Sequence, residues 1–447
     1  MFRCCWRGRR YREGERERGT TTLTRLTPVQ SRVILQCVPC IPWSAGVLVP
    51  KPIDEVNAKQ FYDEKSPTSG IQEAIDSLPR RGGRVRVPSG RWHLSRSIWL
   101  PSGVSLIGDG PSSEIYISPL KVARLTKDVR KGGRVIELRG RVPFRVGQEV
   151  GVRDDQRGGW WGTHGIVEAI DGKRVKLSVP FNRTFYASDR ATAQSLFPAI
   201  TAEGRKDLEL RDFSIHGPKG YNGKWWDFTY SAIHLVLCQR ARVMNVNVFE
   251  WPSDGVGVQR GSDVQVTQCQ SHDCAGHGFH PGTGLGRSVW SHNIGKGNGG
   301  DGFFFCARVH HSTCSDSVFS ENGLSGIGGV ARGGDHHNIV ADNVCSYNKK
   351  WGIEATRGDE QVITGNLILS NSREEAGGYP GIRLHDMERN IVSSNRLADD
   401  QRRPTQTQGI IESGESDYNL INGNLCVGME EPVRLVGKHS RAEGNLV

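Results

Sequence analysis

A glycine followed by an apolar residue returns through the second half of the chain at a nearly fixed interval. The pairs are Gly255-Val256, Gly278-Phe279, Gly302-Phe303, Gly326-Ile327, Gly352-Ile353, Gly381-Ile382 and Gly409-Ile410. Their spacings are 23, 24, 24, 26, 29 and 28 residues, and Pro432-Val433 follows a further 23 on. Two asparagine rows keep the same interval. Asn293, Asn343, Asn366, Asn395, Asn424 and Asn445 trail the glycine, while Asn298, Asn322, Asn348 and Asn371 precede the next one. The runs between them, such as "NIVADNV" and "QVITGNL", are short, rich in Val and Ile, and lack helical spacing and the leucine-repeat signature. A period near 24 built from such runs predicts one coil of a parallel β-solenoid per repeat. Coils stack at about 4.8 Å, so residues one period apart become vertical neighbours. The asparagines are then expected to form amide ladders, a structural role.

The segment "GIQEAIDSLPRRGGRVRVPSGRWHLSRSIWLPSGVSLIGDG" (70–110) places Ile71, Ala74, Ile75 and Leu78 on one helical face, suited to plug the open end of a solenoid. With the repeats, it resembles the pectin-lyase-like superfamily over roughly residues 51 to 447. The resemblance implies an all-β fold: a right-handed parallel β-helix with an N-terminal α-helical cap. Residues 119–200 break the repeat. "RVIELRGRVPFRVGQEVGVRD" and "IVEAIDGKRVKLSVPFN" read as hairpin strands, the second turning at Asp171-Gly172, and predict a small β-rich insertion. The expected organisation is a tail at 1–50, cap and first coils at 51–118, the insertion at 119–200, and coils carrying the candidate active face at 201–447.

The chain has 58 basic and 48 acidic residues, but residues 1–36 hold nine arginines and three glutamates, so +6 of the net +10 sits in the tail. The near-balanced remainder points to no nucleic-acid partner. No membrane partner is expected either, because no segment has the apolar length of a spanning helix. The tail itself reads as disordered. The uncharged run "VILQCVPCIPWSAGVLVP" (33–50) reads either as the apolar core of a secretory signal or as sequence upstream of the true start. A secreted or periplasmic location is expected. Of eleven cysteines, Cys238, Cys269, Cys274, Cys306, Cys314, Cys345 and Cys426 fall in the coils and read as small core residues.

Strand alternation predicts which side chains face outward. The position before the glycine gives Asp254, His277 and Asp301. The position two after it gives His280, Phe304, Glu354 and Arg383, with His385 on the same side. The strand ends give Arg260, Arg308, Arg332, Arg357 and Asp386. Asp254, His277, His280, Asp301 and His385 are the candidate catalytic residues. Arg260, Phe304, Arg308, Arg332, Glu354, Arg357, Arg383 and Asp386 are the candidate substrate-binding ones. An arginine row suits repeated carboxylates because the planar guanidinium binds both oxygens. A histidine could remove the proton α to a uronate carboxylate. The first expectation is therefore a lyase-like enzyme, working by β-elimination on an acidic, uronate-containing polysaccharide.

Two alternatives stand beside it. Asp254 and Asp301 lie two coils, about 9.6 Å, apart, at the upper edge of the spacing for an inverting glycoside hydrolase. "SDG" (253–255) and "GHG" (276–278) resemble motifs of polygalacturonases, although no paired-Asp coil intervenes. "LHDMERN" (384–390) resembles the His-Asp motif of mannuronan epimerases. The other alternative is a non-catalytic, glycan-binding or adhesin-like protein. The expected partner is a polysaccharide. No cofactor is predicted, with calcium and the oligomeric state left open. No metal ligands are assigned: His310-His311 and His336-His337 read as turn histidines. Glu412, at an apolar repeat position, reads either as a buried, paired carboxylate or as a local register shift, the shift being preferred. Trp160-Trp161 and Trp225-Trp226 read equally as sugar platforms or as packing.

Overall fold

The interval of the glycine repeat is the length of one coil. The structure is a computed structural model, and it describes residues 54–156, 162–218, 227–330 and 333–447. These belong to one unit, 52–447. The tail, both tryptophan pairs and Arg332 lie outside the described residues. Among the described residues, the strands that follow the repeat glycine form an eleven-stranded parallel sheet from Ile98–Trp99 to Glu431–Arg434. The remaining strands of the coils join a 22-stranded parallel network. The register stays in phase: Ile233 pairs with Val256, and the column continues through Phe279, Phe303, Ile327, Ile353 and Ile382. All are fully buried, each contributing roughly 1.5–3 kcal/mol. The architecture is a right-handed parallel β-helix. A short helix, Ile71–Asp76, buries Ile71, Ala74 and Ile75 against the same core.

The asparagines hold the turns. The Asn343 side chain accepts the Ser317 N–H at 3.1 Å and donates to the Cys314 carbonyl and to Asn366 Oδ1, both at 3.0 Å. Asn366, Asn395 and Asn424 each donate to the next asparagine below. A second ladder runs from Asn298 through Asn322 and Asn348 to Asn371 and ends on Gln406. The repeat glycine is what lets a ladder close. A Cβ on Gly302 would lie 2.7 Å from the Asn322 amide nitrogen and 2.9 Å from the Gly326 carbonyl.

Glu412 corrects a sequence expectation. The register does not shift, because Leu384 pairs with Glu412 in the regular ladder. Instead the carboxylate is buried and satisfied. It accepts from Asn419 Nδ2 and Ser440 Oγ, both at 2.7 Å, and from the N–H groups of Val436 and Gly437 at 2.9 and 3.2 Å. Such donors are what a buried charge requires.

Between residues 122 and 194 the chain leaves the solenoid and forms a six-stranded antiparallel sheet. It has its own core around Ile136, Val150, Val152, Phe181 and Phe185. Three contacts dock it on the coils. Tyr230 fits against Gly151 and Gly162, where any Cβ would lie within 2.6 Å of its ring or hydroxyl. Asp227 accepts the Gly162 N–H at 2.6 Å. Glu149 accepts the Ser97 N–H at 2.8 Å.

Candidate functional site

Docking the insertion on the coils leaves a cleft of about 760 Å³ between them. The insertion supplies Gly162, His164, Val179, Pro180 and Asn182. The eleven-stranded sheet and its turns supply Trp99, Glu203, His234, Arg260, Thr283 and Arg308, and Phe228 closes one side. The volume suits a ligand of several sugar-sized groups. Arg260, Thr283 and Arg308 all occupy left-handed turn positions (φ +53°, +41° and +66°) where successive coils leave the sheet, so their side chains leave the stack on one side. Among the described residues, neither Arg260 nor Arg308 has an ion-pair partner.

Two histidines in this cleft have opposite electrostatics. His164 Nδ1 lies 2.5 Å from Glu149 Oε1. Burial opposes both charges, but the shared bond outweighs it, so His164 is held above its usual range and Glu149 below its own. His234 has no such partner. Burial first, then the charge of His164, pushes it down to about 3, and its Nε2 has no hydrogen-bond partner among the described residues. Glu149 thus strengthens the hold of one imidazole on a proton, and burial weakens that of the other.

Beneath the cleft lies a second cluster, built around Asp254. Its Oδ1 accepts the His277 N–H and its Oδ2 meets His280 Nδ1, both at 2.7 Å. Asp301 repeats the arrangement two coils further on. Its Oδ1 accepts the Ser325 N–H at 2.7 Å, and its own N–H donates to His277 Nδ1 at 3.0 Å. Phe304 stacks on His277 with ring centroids 4.2 Å apart and meets His280 edge-on at 5.1 Å. Burial disfavours a charged His280, yet its bond to Asp254 and its coupling to the Cys306 thiol raise it to about 10. Cys306 is pulled the other way: burial opposes the thiolate, but His280 brings it down to about 6. His280 Nε2 is buried without a formed hydrogen bond, so its pull on the thiol acts through proximity of charge rather than an aligned bond. Asp254, His280 and Cys306 thus form a series in which each group favours the charged form of its neighbour. The Asp254, His277 and His280 donor atoms lie within 4.8 Å of one another, but both Asp254 oxygens and His277 Nδ1 are committed to protein donors.

The structure corrects the expected open wall. Asp254, His277, His280, Asp301 and Phe304 are brought together, but all are buried rather than solvent-facing. The cause is the turn. The residue before each glycine lies where the next coil's backbone N–H needs an acceptor, so its carboxylate turns in to cap it. A hydrolytic pair needs access to water and leaving group, which Asp254 and Asp301 lack. His385 is not part of this cluster. It stands four coils from His280, about 19 Å at the stacking interval, bonded to Ser413 Oγ at 3.0 Å and 3.5 Å from Asp386. Arg357 faces Asp386 at 3.6 Å, and Arg383 faces Glu354 at 3.7 Å and lies over Trp351. Among the described residues of the expected row, only Arg260 and Arg308 line the cleft. Sequence reasoning missed His164, Glu149 and His234. The first two lie in the insertion, outside any repeat register. His234 sits one coil before the first Gly-apolar pair, on the strand Ile233–Val236, where the register would have placed it on the outer row with His280.

Comparisons with known proteins agree with this architecture. Residues 228–445, a little under half of the chain, match a family described as periplasmic copper-binding protein (NosD). No curated protein matches the chain by sequence. Among solved structures, it is similar to the A-module of mannuronan C-5 epimerase AlgE4 from Azotobacter vinelandii. The identity is 17% and the TM-score 0.54, covering 88% of this chain and 100% of that one. The AlgE6 A-module from the same organism gives 16% and 0.54, covering 87% and 98%. DFA-IIIase from Arthrobacter chlorophenolicus gives 11% and 0.52, covering 87% and 84%. At these identities the likeness is one of fold: the chain is a parallel β-helix.

Proposed function

We propose that the chain is a carbohydrate-active enzyme that binds an acidic polysaccharide in the cleft between insertion and coils and eliminates across a uronate. The reading rests on one observation: Arg260 and Arg308, which have no ion-pair partner among the described residues, share a cleft with His164, whose hold on a proton Glu149 strengthens, and His234, whose hold on one burial weakens. The guanidinium groups neutralise the uronate carboxylate and stabilise the enolate-like charge that forms when its α-proton leaves. His234 accepts that proton. It is a weak base, and the arginines offset this by making the α-proton more acidic. His164, oriented by Glu149, donates its proton to the departing glycosidic oxygen. The names of the structural neighbours, mannuronan epimerases and DFA-IIIase, support a carbohydrate substrate. The periplasmic description of the matching family supports a place outside the cytoplasm. No helix among the described residues is long and apolar enough to cross a membrane.

The test is a panel of polyuronates and neutral glycans. Turnover of a polyuronate with ultraviolet absorbance from a new C=C bond is expected, and it should disappear in His164→Ala. New reducing ends without that absorbance would replace elimination by hydrolysis. Binding without any cleavage would leave a glycan-binding protein.

A further inference from the structure

One glutamine of the cleft wall is buried without the bonds that buried glutamines make elsewhere in the solenoid. Gln361 Oε1 accepts the Asn338 N–H at 3.1 Å, and its Nε2 donates to the Asp335 and Asp359 carbonyls at 3.0 and 2.6 Å. Gln406 Oε1 accepts from the Asn371 N–H and Nδ2 at 3.1 and 2.8 Å. Gln259 is buried almost as deeply, at 2% exposure. Yet among the described residues neither its Oε1 nor its Nε2 has a hydrogen-bond partner. A buried polar group left this way is costly and calls for a partner.

Gln259 ends the strand Val256–Gln259. Val256 and Val258 point into the core, so alternation turns Gln259 outward, towards the cleft it lines. In register it lies between Val236 and Gly282 of the neighbouring coils. Gly282 is what lets the carboxamide lie across the next coil. A Cβ there would stand 2.3 Å from Gln259 Oε1 and 2.5 Å from its Nε2. His234, whose Nε2 is also without a partner among the described residues, is one coil and two residues away, about 8 Å between backbones. Arg260 follows directly in the chain.

We infer that the Gln259 carboxamide binds two adjacent free hydroxyls of the uronate ring, and so selects polyuronates that are unsubstituted at those positions. The inference rests on the elimination reading, which sets the ring in the cleft. A carboxamide offers an acceptor and a donor side by side. Two neighbouring ring hydroxyls match it, one donating to Oε1 and the other accepting from Nε2. In the elimination, the α-carbon loses its proton and the β-carbon loses its glycosidic oxygen. The next two ring carbons keep their hydroxyls. These are the groups left for Gln259 once the arginines hold the carboxylate and His234 meets the α-proton. An acyl group on either hydroxyl removes its proton and adds bulk where the amide is enclosed. A site of this kind discriminates because the wrong ligand leaves its buried polar groups unpaired.

The experiment is calorimetric binding of the full chain to an oligouronate with free ring hydroxyls and to the same oligouronate after O-acetylation. The free ligand should bind at least about tenfold more tightly. Gln259→Leu should cut that preference to below about threefold, while the preference for a carboxylate set by Arg260 and Arg308 remains. Because the amide has no partner in the free fold, Gln259→Leu should also hold or raise the melting temperature. Gln265→Leu, the same change at an exposed strand position, should alter neither reading. Equal affinity of the wild type for the two ligands, or a preference that survives Gln259→Leu, would overturn the inference and leave the elimination reading standing. A lowered melting temperature in Gln259→Leu would also overturn it, because the amide would then be serving the fold. Binding of neither oligouronate would overturn both.

Discussion

The asparagine ladders and the cleft wall are made by the same coils and obey opposite rules. In a ladder every coil offers the same side chain at the same place, and each amide satisfies the next. Along the outer row of the eleven-stranded sheet no two neighbours agree. Trp99, Thr201, His234, Gly257, His280 and Phe304 are in register, yet each coil presents different chemistry. Repetition marks what the solenoid needs to stand. Its local loss marks where something other than stability has chosen the residue. A repeat protein makes this contrast readable because its stability is nearly a sum over neighbours, so a position that breaks the pattern gains nothing from the repeat itself.

Substitutions on each side should separate the two rules. The largest effect on function is expected from Arg260→Ala/Arg308→Ala. Turnover of a polyuronate should fall about a hundredfold or more, with the melting temperature unchanged. A matching loss of stability would erase the contrast. Asn343→Ala should do the reverse. It strands the Ser317 N–H and the Cys314 carbonyl and should cost about 2–4 kcal/mol in chemical denaturation, while the folded fraction keeps its activity.

The buried Asp254 cluster sharpens the comparison through pH. His280 is raised to about 10, so its contribution to stability is present below its unfolded value near 6.5 and is lost as pH rises through about 10. Asp254 is lowered despite burial, chiefly by its bond to His280. Its contribution is present above the unfolded value near 3.9 and is lost on acidification. Thermal denaturation across pH should therefore show a plateau between about pH 4 and 6.5 and a progressive loss from there towards pH 10, and Asp254→Asn should bring the end of that alkaline loss down towards neutrality.

Cysteine alkylation gives a finer test. Cys306 should react with a midpoint near pH 6, whereas burial holds Cys269 at about 12 and leaves it inert in the native state. The smallest effect belongs to exposed ladder charges. Arg287→Ala, which removes the pair with Asp263, should leave the denaturation midpoint essentially unchanged, because water and salt screen an exposed pair.

The legible part of this molecule was the part that repeats. The glycine and asparagine intervals predicted coil, register and ladders, because a period needs no knowledge of what faces what. Alternation also put Asp254, His277, His280, Asp301 and Phe304 on the same few coils. It could not foresee their burial, which follows from turn carboxylates capping the next coil's N–H groups and from rings stacking over them. The cleft was illegible for another reason. Half of it comes from the insertion, and no interval relates His164 and Glu149 to His234 or Arg260. Glu412 looked like a slip because a lone carboxylate in a core column is costly, and the donors that make it tolerable arrive only with residues 436–440.

The most direct test of the cleft is calorimetric binding of an oligouronate beside the same oligosaccharide with its carboxyl groups reduced to alcohols. The arginine pair predicts that the acidic ligand binds at least tenfold more tightly, with an advantage that shrinks as salt rises and vanishes in Arg260→Ala/Arg308→Ala. Equal affinity for the two ligands, or an advantage that persists without both arginines, would contradict it.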